Sequence, residues 1–176
     1  MQTYIALLRG INVGGHKKIK MEALRNSLES LHFKNLKTYI QSGNIIFQYK
    51  NVNVKKIAAN ISKIIKEDFD FDVLVIVKTK AELEAVFLNN PYEKDNEIES
   101  LYVTFLSENL KVELKDKLGD FGDDKYCIKN DIIYLCYATK ASDTKLSNNI
   151  IETRLKVVAT TRNWKTIQNV LNLVHT

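Results

Sequence analysis

A weak internal repeat is the sequence feature that most constrains the fold. Residues 4–8 (YIALL) match residues 102–106 (YVTFL) in type, and residues 39–47 lie over residues 126–134 with an identical Tyr, Ile and Ile. Each match falls on an equivalent predicted strand or hairpin. The repeat therefore predicts that one arrangement of strands and helices is used twice. The alternative is one mixed sheet without true duplication.

Hydrophobic periodicity predicts the order of the elements within each repeat. In the first half, the predicted strands are 3–8, 36–41, 44–49 and 72–77, and the predicted helices are 21–31 and 54–69. In the second half, the predicted strands are 101–106, 125–129, 131–137 and 157–160, and the predicted helices are 109–118, 144–155 and 162–174. The order β-α-β-β-α-β in both halves predicts an α+β fold with two ferredoxin-like subdomains in tandem and largely antiparallel sheets.

A segment of different character joins the two halves. Thr79 is a predicted N-cap with Glu82 at the capping-box position, which predicts a helix over 79–88 that ends before Pro91. An acidic stretch then continues to residue 99. The predicted divisions are a first α+β subdomain over 1–78, a helical and acidic connector over 79–99, and a second α+β subdomain with an extra C-terminal helix over 100–176.

The charge of the chain is unevenly distributed. Residues 1–66 contain twelve Lys and Arg against two Asp and Glu, a net charge of +10. Residues 67–136 contain eight against seventeen, a net charge of −9, and residues 137–176 contain six against two, a net charge of +4. An anionic partner is favoured if the two basic ends share a face. In the alternative, basic and acidic segments interleave within the fold.

Cysteine and histidine usage argues against a disulfide and a metal site. A hairpin turning at residues 130 and 131 places Cys127 opposite Tyr134, so that Cys127 and Cys136 are diagonal neighbours, too far apart for a disulfide. The histidines have no zinc-ligand spacing. We expect free thiols in a cytoplasmic protein with no cofactor, and no apolar run approaches the ~20 residues of a membrane span.

The glycine-bearing loop after the first strand is the first candidate site. Gly10 and Gly15 have Walker A spacing, but His16 stands where that motif requires Lys, and Lys17 stands where it requires Ser or Thr. The loop is therefore not a P-loop. Its glycines either offer backbone N–H groups to an anion or only shape a turn. The basic residues that would attract the anion are Arg9, Lys17, Lys18 and Lys20.

The predicted hairpin tip is the second candidate site. Gln41, Ser42 and Asn44 are small polar residues whose side chains would hydrogen-bond a ligand. The chemistry of a tight turn also explains them without a ligand.

Two segments near the C-terminus contain the remaining candidate ligand-binding residues. Lys145 and Arg162 are predicted to lie in the first turns of helices, where a cation opposes the helix dipole. A bound anion would remove that conflict. Trp164 either stacks on a base or packs in the core.

An RNA-recognition module shares the predicted fold unit. Its third strand carries the pattern K/R-G-F/Y-G/A-F-V-x-F/Y. Residues 43–49 (GNIIFQY) keep the Gly and the final aromatic residue but lack the two stacking aromatic residues between them. Sequence-specific RNA binding of this type is therefore disfavoured.

The chain resembles, nearly from end to end, a family of small bacterial proteins known only as a domain of unknown function. The resemblance is carried by residues 4–15 (YIALLRGINVGG), 38–44 (TYIQSGN) and 160–164 (TTRNW), with Lys20-Met21, Leu24, Asn90-Pro91 and Lys145-Leu146. It implies a cytoplasmic α+β protein of this length and no established activity. Where the family more often has Gly, a basic residue and Ser before Lys145, this chain has Ser142, Asp143 and Thr144, and Asp143 disfavours an anion there.

We expect one basic, polar cleft that binds a phosphate-bearing ligand, either a nucleotide or a nucleic acid. The expected ligand-binding residues are Arg9, Asn12, Gly14, Gly15, Lys20, Gln41, Ser42, Asn44, Lys145, Arg162, Asn163 and Trp164. One alternative is an enzyme that acts on a small phosphorylated substrate, with His16 or an unplaced carboxylate as its general base. Another is an oligomeric interaction protein that uses its sheet edges.

Overall fold

The structure, a computed structural model, describes residues 1–175 as an α+β protein with two four-stranded antiparallel sheets. The strands are β1 (Gln2–Leu8), β2 (Lys34–Tyr39), β3 (Asn44–Tyr49), β4 (Val75–Thr79), β5 (Leu101–Leu106), β6 (Lys125–Lys129), β7 (Ile132–Cys136) and β8 (Ala159–Asn163). The α-helices are α1 (Met21–Leu28), α2 (Val54–Phe69), α3 (Lys80–Leu88), α4 (Val112–Lys115), α5 (Asn148–Leu155) and α6 (Trp164–His175). Short 3₁₀ helices occupy Glu29–Leu31 and Ile98–Ser100.

The chain divides into two compact units. The first contains residues 1–85 together with the C-terminal segment from Val170, and the second contains residues 86–169. The segment 79–99, predicted as a connector, is thus shared between the units. Helix α6 likewise contributes residues to both units.

The two sheets have equivalent strand orders. The order is β2-β3-β1-β4 in the first unit and β6-β7-β5-β8 in the second, and all neighbouring strands are antiparallel. In both units the order is therefore second, third, first and fourth strand. The predicted repetition of one arrangement is confirmed at this level, and the alternative of a single mixed sheet is wrong.

In the first unit, α2 packs an apolar stripe against one face of the sheet. Asn53 caps the helix by accepting a hydrogen bond from the Lys55 N–H at 2.8 Å, and Ile57, Ile61 and Ile65 are buried. These isoleucines belong to the same core cluster as Phe47 of β3. Burial of each such side chain stabilises the fold by roughly 1.5–3 kcal/mol. The bounds of α2 are those that the periodicity predicts.

In the second unit, the ends of the elements differ from the prediction. Only one α-helical turn, α4, forms within 109–118, although Leu110 and Leu118 both reach the core. Helix α5 begins at Asn148 rather than at 144, because Ser147 accepts the capping hydrogen bond from the Ile150 N–H. Helix α6 begins at Trp164, since residues 159–163 continue as strand β8.

The cysteines lie as the predicted hairpin register places them. Cys127 pairs with Tyr134 across β6 and β7, and both cysteines are free thiols. Among residues 1–175, none of the helices has the length and apolar character that crossing a membrane requires.

Candidate functional site

The loop that follows β1 is itself a small hairpin. The Asn12 N–H donates to the Lys17 carbonyl at 3.2 Å, and the His16 N–H donates to the Val13 carbonyl at 3.0 Å. Gly14 and Gly15, between them, have φ angles of +57° and +80°. Two consecutive positive φ angles are typical of a type I′ turn, which disfavours residues with a side-chain Cβ. Turn geometry alone therefore explains both glycines.

The side-chain amide of Asn12 joins this loop to the tip of the β2–β3 hairpin. Its Nδ2 donates to the Ile19 carbonyl at 2.9 Å and to the Gln41 carbonyl at 2.7 Å, while its Oδ1 accepts from the Ile19 N–H at 2.8 Å. Both Nδ2 hydrogens are thus used. Asn12 positions the two segments and has no donor left for a ligand.

The hairpin tip is also held by its own polar residues. Asn44 is fully buried, and its Nδ2 donates to the Tyr39 carbonyl at 3.1 Å and to Ser42 Oγ at 3.2 Å. The Leu8 N–H donates to the Gly43 carbonyl at 2.9 Å, which fixes the tip beside the end of β1. The tip spans four residues, 40–43, and is longer than the predicted turn at Ser42 and Gly43.

Two of the predicted segments therefore meet in the first unit, and we call their outward side the loop–tip surface. It consists of the exposed or half-exposed residues Arg9, Lys18, Lys20, Gln41 and Ser42. No Asp or Glu occurs within residues 9–21 or 38–44. Lys17 is not part of this surface, because its Nζ donates to the Asp72 carbonyl at 2.5 Å and ties the loop to the segment before β4.

In the second unit, Arg162 lies in strand β8 and not in a first helical turn, so the conflict with a helix dipole does not arise. It pairs with Val103 of β5 and is buried. Its Nη1 donates to Thr160 Oγ1 at 2.7 Å and to the Thr161 carbonyl at 3.0 Å. Burial lowers the pKa of the Arg162 guanidinium to about 10, because loss of water disfavours the charged form.

The next two residues of the chain stabilise the start of α6. Asn163 Oδ1 accepts a hydrogen bond from the Thr166 N–H at 2.8 Å, so Asn163 caps the helix. Trp164 is fully buried, stacks on Phe87 with ring centroids 5.3 Å apart, and donates from Nε1 to Glu93 at 3.1 Å. Of the two interpretations of Trp164, packing in the core matches the structure.

Lys145 lies in the connection before α5 and not in its first turn, so the dipole argument does not apply to it either. The Leu146 N–H donates to Thr144 Oγ1 at 2.9 Å, and the Thr144 hydroxyl donates to Asp124. Lys145 itself is exposed. Its predicted role in ligand binding stays a prediction.

Sequence reasoning missed a pocket of about 360 Å³ in the first unit. Strands β1, β2 and β3 and the end of α6 line it, and its polar residues include Asn35, Lys37 and Gln48. The polar side chains alternate along strands, which is also the ordinary pattern of a solvated sheet face. The sequence therefore does not distinguish a pocket at this place from an ordinary solvated face of the sheet.

Comparison with known proteins identifies the family. A family model described as "Protein of unknown function (DUF1697)" matches residues 1–134, about three quarters of the chain. The chain belongs to this family. The expected membership of a family of unknown function is thereby confirmed, and DUF1697 membership assigns no activity. None of the curated proteins matches the chain.

A solved structure shares the fold of this DUF1697 protein. It is described as "The structure of conserved bacterial protein SP0830 from Streptococcus pneumoniae". The similarity has a TM-score of 0.79 at 23% sequence identity and covers 100% of this chain and 99% of that chain. At this identity it shows the α+β fold over the whole chain.

Proposed function

We propose that the loop–tip surface of the first unit binds a phosphate-bearing ligand, either a nucleotide or a nucleic acid. The observation that carries this proposal is the double hydrogen bond from Asn12 Nδ2 to the carbonyls of Ile19 and Gln41. It fixes the backbone of a basic loop against the backbone of a polar hairpin tip, so these two segments do not have to be brought together when the ligand binds.

The distribution of charge supports an anionic ligand for this unit. The first unit contains fourteen Lys and Arg against eight Asp and Glu, a net charge of +6, whereas the second contains twelve against thirteen, a net charge of −1. Lys18 and Lys20 act as point charges toward phosphate oxygens, and Arg9 adds to the positive charge beside them. Gln41 and Ser42 add neutral hydrogen-bonding groups that orient the ligand.

Binding is favoured over catalysis at this surface. General acid–base catalysis requires a titratable side chain that is positioned toward the reacting atom. His16 is exposed, and its hydrogen bond within the loop is made by its backbone N–H rather than by its ring. An enzyme acting on a small phosphorylated substrate therefore remains the second candidate.

We also infer that both units have the ferredoxin-like topology and that the protein is cytoplasmic. The element order β-α-β-β-α-β, with strands in the order second, third, first and fourth, supports the topology. The free thiols of Cys127 and Cys136 support a reducing compartment.

Fluorescence anisotropy over a salt series tests the binding proposal. The probes are labelled single-stranded RNA, single-stranded DNA and duplex DNA. We expect Lys18→Ala combined with Lys20→Ala to weaken binding about tenfold or more and to lower the slope against salt by about 2, since each phosphate contact adds about 1. The matched control is Lys55→Ala combined with Lys56→Ala, which removes the same charge from exposed positions of α2.

The control residues lie toward the other end of the unit. Helix α2 follows β3, and the register pairs Tyr49, at the end of β3, with Gln2 at the start of β1. If wild type binds none of the three probes at low salt, nucleotides and sugar phosphates are screened by thermal shift. Absence of binding in both assays, or equal weakening by the two double variants, contradicts the proposal.

A further inference from the structure

Two exposed aliphatic side chains lie beside the loop–tip surface. Val13 is 60% exposed and Ile40 is 48% exposed. Val13 follows Asn12 and Ile40 precedes Gln41, so the two residues adjoin the two ends of the hydrogen bond that connects the loop with the hairpin tip. Among residues 1–175, the core cluster of the first unit and the residues packed against it include neither. Burial in the core therefore does not explain why both are aliphatic.

The backbone at Ile40 makes an aliphatic side chain unexpected at this position. Its φ is +49°, in the left-handed region that Gly, Asn and Asp adopt readily and that a β-branched residue seldom adopts. Strained positions of this kind cluster at binding sites. The conformation of the tip thus favours a small or polar residue at position 40, and the chain has an exposed isoleucine instead.

An imidazole ring lies next to Val13 on the loop. Val13 and His16 pair across the turn formed by Gly14 and Gly15, and the His16 N–H donates to the Val13 carbonyl at 3.0 Å. Residues paired in this way project their side chains from the same face of a hairpin. His16 is exposed. An aliphatic side chain and a ring therefore share one exposed face, and both kinds of side chain pack against the flat face of a nucleic-acid base.

The charges around these side chains favour an anionic chain as the ligand. Lys18 and Lys20 are exposed, and among residues 1–175 the structure gives neither ammonium group an acceptor. The face is also open to solvent, whereas a pocket for a small molecule buries about 70–90% of its ligand. An open basic face suits a strand that continues past it, because each nucleotide of the strand brings a phosphate and a base.

We propose that the ligand of the loop–tip surface is single-stranded nucleic acid. Its unpaired bases lie against Val13, His16 and Ile40. Its phosphates lie beside Lys18 and Lys20. In a duplex the faces of the bases are covered by the neighbouring base pairs, and these contacts would require unstacking. The inference rests on the proposed phosphate binding at this surface and adds that the bases contribute to the affinity.

Fluorescence anisotropy with a labelled DNA strand of about 12 nucleotides tests the contribution of the bases. The second probe is an abasic strand of the same length, which has the same phosphates and no bases. We expect the wild-type protein to bind the base-bearing strand about tenfold or more tightly than the abasic strand at the same salt concentration. This comparison uses the unaltered chain and does not depend on the folding of a variant.

Val13→Ser combined with Ile40→Asn removes the two aliphatic side chains. Asn tolerates a positive φ, so the conformation of the tip is retained. We expect this double variant to bind the base-bearing strand about fivefold or more weakly than wild type, and to bind the abasic strand as wild type does. The matched control is Leu88→Asn combined with Val112→Ser, which removes two exposed aliphatic side chains from the second unit.

Equal affinity of the wild-type protein for the two strands overturns this inference and leaves phosphate binding intact, since the abasic strand has the same charge. Binding to neither strand overturns it as well, and the screen of nucleotides and sugar phosphates then decides the proposed function separately. Equal weakening by the two double variants also contradicts it. Binding to vesicles of phosphatidylserine and phosphatidylcholine in place of both strands would identify a membrane-binding surface instead.

Discussion

At the scale of single residues, Gly43 is the position where the fold most strictly requires glycine. Its φ is +74°, and an added Cβ would lie 2.7 Å from Ile11 Cδ1 and 2.8 Å from Leu8 Cβ. Gly10 has a similar φ of +69° and nothing within 4 Å of an added Cβ. A substitution at Gly10 therefore has only the energetic cost of the backbone conformation, whereas a substitution at Gly43 has that cost and the cost of steric overlap.

We predict that Gly43→Ala destabilises the protein more than Gly10→Ala. The left-handed conformation costs roughly 1–2 kcal/mol in each variant. The overlap of Gly43→Ala with Leu8 and Ile11 adds about 1–3 kcal/mol, since close-packed neighbours must shift. Urea unfolding of both variants measures the difference. Equal losses of unfolding free energy would show that the core near Ile11 accommodates the methyl group.

The sequence identifies the candidate residues of the first unit but not their roles. The sequence predicts that Asn12 and Asn44 contact a ligand, and in the structure both amides donate hydrogen bonds to carbonyl groups of the chain. An asparagine in a loop has the same donors and acceptors in either role. Only the positions of the carbonyl groups around it decide between them, and these depend on contacts that are distant in the sequence.

At the scale of the elements, the connection between the loop and the hairpin tip depends on one donor group. Asn12→Asp retains the size of the side chain and its tolerance of a positive φ, but it replaces Nδ2 with an acceptor. The carbonyls of Ile19 and Gln41 then lose their donor and face a negative charge. We predict a loss of about 2–3 kcal/mol in the free energy of unfolding.

Asn60→Asp is the matched control for this change of charge, because Asn60 is exposed on α2. Urea unfolding is expected to leave this control within about 0.5 kcal/mol of wild type. If Asn12→Asp behaves like Asn60→Asp, the amide of Asn12 does not connect the two segments in solution.

Elements with local signals are the ones that the sequence predicts well. The capping box at Thr79 and Glu82 forms as predicted, with the Thr79 N–H donating to Glu82 at 2.7 Å and the Glu82 N–H donating to Thr79 Oγ1 at 3.2 Å. The boundary between β8 and α6 has no such signal. Tyr102 and Val103 of β5 extend β8 to its end by pairing with Asn163 and Arg162, and no local pattern reveals that pairing.

At the scale of the whole molecule, the tyrosines with a raised pKa lie in the second unit. Burial raises the pKa of Tyr134 to about 12 and raises the pKa of Tyr137 further, and both hydroxyls donate to backbone carbonyls. Tyr92 and Tyr126 also have a raised pKa, chiefly through burial. All four tyrosines belong to the second unit, as does Arg162 with its lowered pKa of about 10.

These two kinds of shift have opposite effects on stability. A tyrosine with a raised pKa loses its proton first in the unfolded chain, so its contribution to the stability of the fold falls as the pH rises above 10. Arg162 loses its proton first in the folded chain, so its contribution rises over the same range. Four tyrosines oppose one arginine, and the free energy of unfolding of the second unit should fall between pH 10 and pH 12.

Trp164, the only tryptophan of the chain, lies in the core of the second unit and reports this change by its fluorescence. We predict that urea unfolding monitored by Trp164 gives a decreasing free energy above pH 10, and that Tyr134→Phe reduces the slope by at most about 1.4 kcal/mol per pH unit. Tyr49→Phe serves as the control, because Tyr49 lies in the first unit and Trp164 reports the unfolding of the second. Stability that rises above pH 10 in wild type would mean that the deprotonation of Arg162 dominates.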